Sequence, residues 1–159
     1  MKHIILIGPS YSGKSEFAKK IALLGYKYYS IGDICRKANY PIDTCLGIDE
    51  IVDLVVKNID FSHPCIIDNL FKTANTVLVI DKLEDIGAIR KQDLLIVEID
   101  DSMRNHINFS SRGRIDDEMI QCKREVWIRE HKLICDKIKQ IGLNHIVVYS
   151  VDGGFLLRL

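Results

Sequence analysis

The chain has 159 residues, 47% of them apolar, and its 22 basic side chains balance 22 acidic ones for a formal net charge of zero. That size suits one domain spanning residues 1–159 with a full core, and the balanced charge argues against a basic nucleic-acid surface or an acidic tail. No apolar run approaches the roughly 18–20 residues a membrane-spanning helix needs, and the first apolar run is broken too early for a signal peptide. In chain order, His3-Ile4-Ile5-Leu6-Ile7 reads as a buried strand. Gly8 to Ser15 follows as a loop, and Phe17, Ile21 and Leu24 mark one face of a helix, with Gly25 as its C-terminal stop. Lys27 to Ile31 reads as a second strand, and Gly32-Asp33-Ile34-Cys35-Arg36 opens a short helix. Residues 37–48 carry Pro41 and Gly47 and read as irregular. Asp49 is the expected N-cap of a helix bearing Ile51, Leu54, Val55 and Ile59.

Pro64 to Asp68 reads as a third strand ending in a carboxylate. The segment from Thr73 to Ile86 has strand propensity in Val77-Leu78-Val79-Ile80, but its length and the charges that follow favour a helix. Leu94 to Asp100 is a fourth strand, and a short helix is expected from Ser102. Ser110 to Arg114 forms a polar turn, a long helix runs from about Asp117 to Ile141, and His145 to Tyr149 is the last strand. Strands alternating with helices predict an α/β fold of three layers, about five parallel strands with helices on both faces. Cys35, Cys45, Cys65, Cys122 and Cys135 are odd in number and contain no C-x-x-C pair. They read as free thiols of a reducing, cytoplasmic protein and not as disulfides or a zinc knuckle.

The most specific signal is Gly8-Pro9-Ser10-Tyr11-Ser12-Gly13-Lys14-Ser15, which fits the phosphate-binding loop pattern G-x-x-x-x-G-K-[ST]. It lies where that pattern requires, after a strand and at the start of a helix. In such a loop, successive backbone N–H groups and a helix N-terminus face a polyphosphate. Lys14, expected to be exposed, reaches the phosphates, and the Ser15 hydroxyl is placed to ligate Mg²⁺. Gly8, Ser10, Tyr11, Ser12 and Gly13 complete the cradle expected to bind ATP.

A second signal lies in the long helix. Ile120, Trp127, Ile134, Ile138 and Ile141 form an inward stripe, and Arg124 sits on it. A cation facing inward requires an anionic partner, either a buried carboxylate or a bound phosphate. Arg112 and Arg114 lie just upstream, so three guanidiniums gather where charge in a transferring phosphoryl group would need neutralising. A structural ion pair or a solvated turn is the competing reading. His131, on the same stripe, reads as a core or rim histidine.

These pieces, in this order, resemble the adenylate kinase family, the nucleoside monophosphate kinases, over nearly the whole chain. Beyond the loop, Ser30-Ile31-Gly32-Asp33-Ile34-Cys35-Arg36 is similar to STGDLLR, and Ile66 to Thr73 is similar to LIDGFPRT. Gly113-Arg114-Ile115-Asp116-Asp117 with Lys123-Arg124 resembles GRxDD…KR. The resemblance implies ATP and Mg²⁺ as cofactors and a nucleoside monophosphate as acceptor. It implies that Asp33, Arg36 and Lys72 contact the acceptor and that Asp68 organises Mg²⁺ through water. Arg114 and Arg124 brace the transferring group, Asp116 positions them or closes the lid, and Arg112, His106 or Phe109 takes the place of the family's donor-base arginine. The acceptor segment, about 37–60, and the lid, about 110–116, are both short for that family. The chain also has Ile31 where the family has threonine, Lys72 where it has arginine, and Thr76 near the position of its base-reading glutamine. Two other readings stand beside this one. The same donor site could serve another small or nucleic-acid acceptor, or the chain could bind nucleotide as a regulator without catalysis.

Overall fold

The structure is a computed structural model, and it describes residues 2–40, 46–105 and 119–158. Six strands form one sheet: β1 (His3–Ile7), β2 (Lys27–Ser30), β3 (Cys65–Asp68), β4 (Leu94–Asp100), β5 (Asn144–Val151) and β6 (Gly154–Leu157). Their order is β2-β3-β1-β4-β5-β6. The first five run parallel, with His3 beside Cys65 on one flank of β1 and beside Leu94 on the other. β6 is antiparallel to β5 and was not expected from the sequence. Asp152-Gly153 between them is the two-residue hairpin signal that marks it, and Phe155-Leu156-Leu157 supplies the apolar run.

Alternate residues of the strands feed two cores. On one face Leu6, Ile66, Val97, Ile99 and Val148 pack against Ala18, with Phe17 and Ile21, from α1 (Lys14–Ala22). On the other, Ile5, Ile7, Ile67, Leu94 and Ile96 pack under α3 (Ile48–Asn58), α4 (Val79–Asp85) and α5 (Ile120–Gln140). Both faces of the central strands are therefore dry, which explains why β1, β3 and β4 read as continuous apolar runs.

The helices largely follow their patterns. The short α2 (Ile31–Lys37) is capped by Ser30, whose Oγ accepts from the Asp33 N–H at 3.3 Å. It takes Ile31 away from the predicted second strand and buries it in the core. α3 starts at Ile48 rather than being capped by Asp49, which instead lies in the first turn and pairs with Lys82. The ambiguous segment is helical: a 3-10 turn at Ala74–Leu78 runs into α4. Burial of Val77, Val79 and Ile80 against the core outweighs their strand propensity. After β4 the expected short helix from Ser102 does not form within residues 102–105. Asp100 and Asp101 instead accept backbone bonds from Ser102 and Arg104, which close a turn. Among the described residues, no helix is long and apolar enough to cross a membrane.

Candidate functional site

The parallel strands end together, and the loop after β1 lies at their carboxyl edge, where α/β sheets open a crevice. Gly8 has φ +140°, and a Cβ there would stand 2.5 Å from the Ile99 carbonyl oxygen, so only glycine fits. Gly13 caps α1 in a left-handed conformation and lies against Ser150 and Phe155. From Lys14 on, the helix begins, and the Phe17 N–H closes its first bond onto the Gly13 carbonyl at 2.9 Å. The amides ahead of it have no partner within the helix and lie at the positive end of its dipole, among residues that line the crevice.

The cleft that results has a volume of about 470 Å³. Ser10, Tyr11, Gly13, Lys14 and Ser15 of the loop line it together with Arg36 and Asp68. Lys14 is buried rather than exposed, because its Nζ folds over the loop and donates to the carbonyls of Gly8 and Pro9 at 2.8 and 2.7 Å. Ser12 is fully buried and its hydroxyl has no hydrogen-bond partner among the described residues. It therefore shapes the loop from behind, close to Gly8, and does not line the cleft.

Asp68, at the tip of β3, is buried and accepts from the Tyr28 hydroxyl at 3.1 Å. Tyr28 also accepts from the Ser15 hydroxyl, so Ser15, Tyr28 and Asp68 form a chain of oxygens. Burial, then the charge of Asp68, pushes the Tyr28 phenol up to about 12, which keeps it a neutral donor. Hard oxygen ligands of this kind fit Mg²⁺. Tyr28 was missed from the sequence, although its place two residues before the strand-end Ser30 puts it on the same face as Ser30.

Arg36 lies across Gly32 in the cleft and pairs with Asp33 three residues earlier, where both side chains keep contact with solvent. Lys72 is exposed and does not line the cleft; its backbone N–H is held by Thr76 Oγ1 at 3.0 Å. The Thr76 hydroxyl is committed to capping, through Lys72, Thr73 and the Thr73 carbonyl.

Arg124 resolves the puzzle of its inward stripe. It forms a fork with Asp101 at 2.8 and 3.2 Å and donates to the Ser10 carbonyl of the loop. The partner is thus a buried carboxylate, with side-chain exposures of 15% for Arg124 and 9% for Asp101. Arg104 joins it, lines the cleft and donates to the Tyr11 carbonyl at 3.1 Å. Arg104 and the β5–β6 hairpin, through Ser150, Gly153, Gly154 and Phe155, are among the cleft residues that sequence reasoning did not single out. His106, Phe109, Arg112, Arg114 and Asp116, and with them the lid, lie outside the described residues, as do residues 41–45 of the acceptor segment.

The fold and cleft define an α/β protein with a glycine-bent loop at the head of a mostly parallel sheet. No protein-family model matches the chain, and no curated protein matches it.

Proposed function

We propose that this chain is a phosphotransferase that moves the γ-phosphoryl group of ATP onto a nucleoside monophosphate. The observation that carries the reading is the cleft itself. It gathers the helix start, Lys14, Ser15, Arg36 and Asp68 around one space of about 470 Å³. Phosphoryl transfer asks a protein mainly to position two phosphates and neutralise their charge. The loop amides would bind the donor phosphates, with Lys14 exchanging the Gly8 and Pro9 carbonyls for phosphate oxygens. Arg36 would hold the acceptor phosphate, at the small cost of leaving an ion pair already open to water. Ser15 and Asp68 are the residues that would hold Mg²⁺, directly or through water. When bound, Mg²⁺ neutralises charge on the phosphates. Arg114 belongs to this reading through the resemblance.

The test is ADP formation with Mg²⁺-ATP against AMP, CMP, UMP, GMP and the deoxynucleotides. Turnover with at least one, abolished by Lys14→Ala, is expected; no turnover with any of them refutes the reading. One observation favours the regulator instead: Arg124 is committed to Asp101 and the loop carbonyl. Saturable ATP binding without transfer to any acceptor would select that alternative.

A further inference from the structure

A second cluster of chemically active side chains lies on the opposite face of the sheet from α1, under α5. Glu98 stands in the middle of β4, buried at 6% exposure among apolar neighbours. Three side chains converge on it from two other elements. His131 Nε2 lies 2.7 Å from Oε1, Cys135 Sγ lies 3.7 Å from Oε2, and His145 Nε2 of β5 lies 3.0 Å from Oε2. His131 and Cys135 are four residues apart on α5 and so share one face of the helix. The Glu98 oxygen, the Cys135 sulfur and a His145 ring nitrogen all lie within 4.8 Å of one another. His145 Nε2 is buried and, although close to the carboxylate, makes no well-aligned hydrogen bond.

We propose that Glu98, Cys135 and His145 bind a divalent transition-metal ion of the zinc class, with His131 positioning the carboxylate from the rim. The separations suit it. Bonds of about 2.3 Å to sulfur and 2.0 Å to nitrogen or oxygen, at tetrahedral angles, place neighbouring ligand atoms roughly 3.3–3.6 Å apart. One sulfur, one imidazole and one carboxylate select zinc or cobalt over Mg²⁺, which takes oxygen alone. His131 is 41% exposed, so the rim of the cluster is open to solvent. The absence of C-x-x-C pairs argues against a zinc knuckle. It does not bear on a mixed site whose ligands come from β4, α5 and β5. On binding, the Cys135 S–H bond is replaced by an S–metal bond, the proton leaves to solvent, and no electron is transferred.

The site is separate from the ATP cleft, so its test uses the metal alone on the full chain. Co²⁺ is titrated while the near-ultraviolet thiolate-to-cobalt band is followed, and Zn²⁺ affinity is measured by competition with a chelator. One equivalent should produce the band. Cys135→Ser should remove it and Cys122→Ser should keep it, with circular dichroism establishing that each variant is folded. His131→Asn should weaken Zn²⁺ binding roughly 10- to 100-fold, the usual effect of losing a group that orients a ligand. Should Cys135→Ser fail to fold, Cys135→Ala tests the same loss. No band in the wild type, or a band that survives removal of the Cys135 thiol, overturns the site.

Discussion

Two arginines of this chain look alike in sequence and differ in what they hold. Arg124 is locked with Asp101 in a nearly dry fork, and removing one partner of such a pair leaves a buried charge, at a cost of roughly 3–5 kcal/mol. Arg36 pairs with a half-exposed Asp33, a contact worth at most about 1 kcal/mol. Arg36→Ala should therefore lose little through the Asp33 contact. It should lower kcat/KM for the acceptor roughly 10- to 100-fold, the worth of a charged hydrogen bond to phosphate, in a steady-state assay. Equal kcat/KM in the variant would remove Arg36 from the acceptor site.

Gly8 is a sharper case. A methyl group there meets the Ile99 carbonyl at 2.5 Å, on a backbone that L-residues rarely adopt. Gly8→Ala should destabilise the fold by about 1–3 kcal/mol and weaken ATP binding, read by urea unfolding and by calorimetry. His3 titrates against the fold. Its Nδ1 lies 3.1 Å from the Cys65 sulfur, and its ring stands edge-on to Phe61. Burial keeps that thiol protonated, pushed up to about 12. Burial first, then Lys2, lowers the His3 pKa from 6.5 against a smaller pull from Asp93, so the folded state resists its protonation. The contribution is complete above pH 6.5 and fades as pH falls through the lowered folded value. His3→Gln should flatten this part of the slope in denaturation midpoints measured between pH 7.5 and 5, and an unchanged slope would dismiss it.

At the scale of elements, the sheet and its order of helices were legible because burial on both faces leaves continuous apolar runs and helical stripes. The boundaries moved where a local choice was decided by packing. Ile31 left the strand because the core needed it at the head of α2, and Val77 to Ile80 coiled because their helix lies on the sheet. The loop and Asp68 were readable because a motif fixes them in sequence. Arg104, the β5–β6 hairpin and Tyr28 were not, since the first two reach the cleft, and Tyr28 reaches Asp68 and Ser15, only through tertiary placement. The hairpin did carry a signal, Asp152-Gly153, placed past the last strand expected. Its role follows from Phe155, which packs edge-on against Phe17 of α1 at 5.2 Å and lies beside Gly13. Phe155→Ala should cost about 2 kcal/mol, near half the loss at a fully buried phenylalanine, and should also weaken ATP binding by loosening the loop. A stability loss with unchanged ATP affinity would show that the hairpin supports the fold without shaping the site.

Across the whole molecule, the Arg124 fork joins three parts: the turn after β4 through Asp101, the long helix α5, and the loop after β1 through the Ser10 carbonyl. Global stability and the shape of the candidate site therefore share one contact. A double-mutant cycle separates the two. If the pair acts as a unit, Arg124→Met and Asp101→Asn should each destabilise strongly, and together by clearly less than their sum. Ligand linkage then reads the loop. Saturating Mg²⁺-ATP should raise wild-type stability by about 2.7 kcal/mol at a hundred times its Kd, and Lys14→Ala should lose most of that gain. In the double variant the gain should shrink, because the Ser10 carbonyl no longer has its donor and the loop amides lose their alignment. A full gain there, with the cycle still showing strong coupling, would mean that the fork stabilises the fold and leaves the phosphate cradle to the glycines alone.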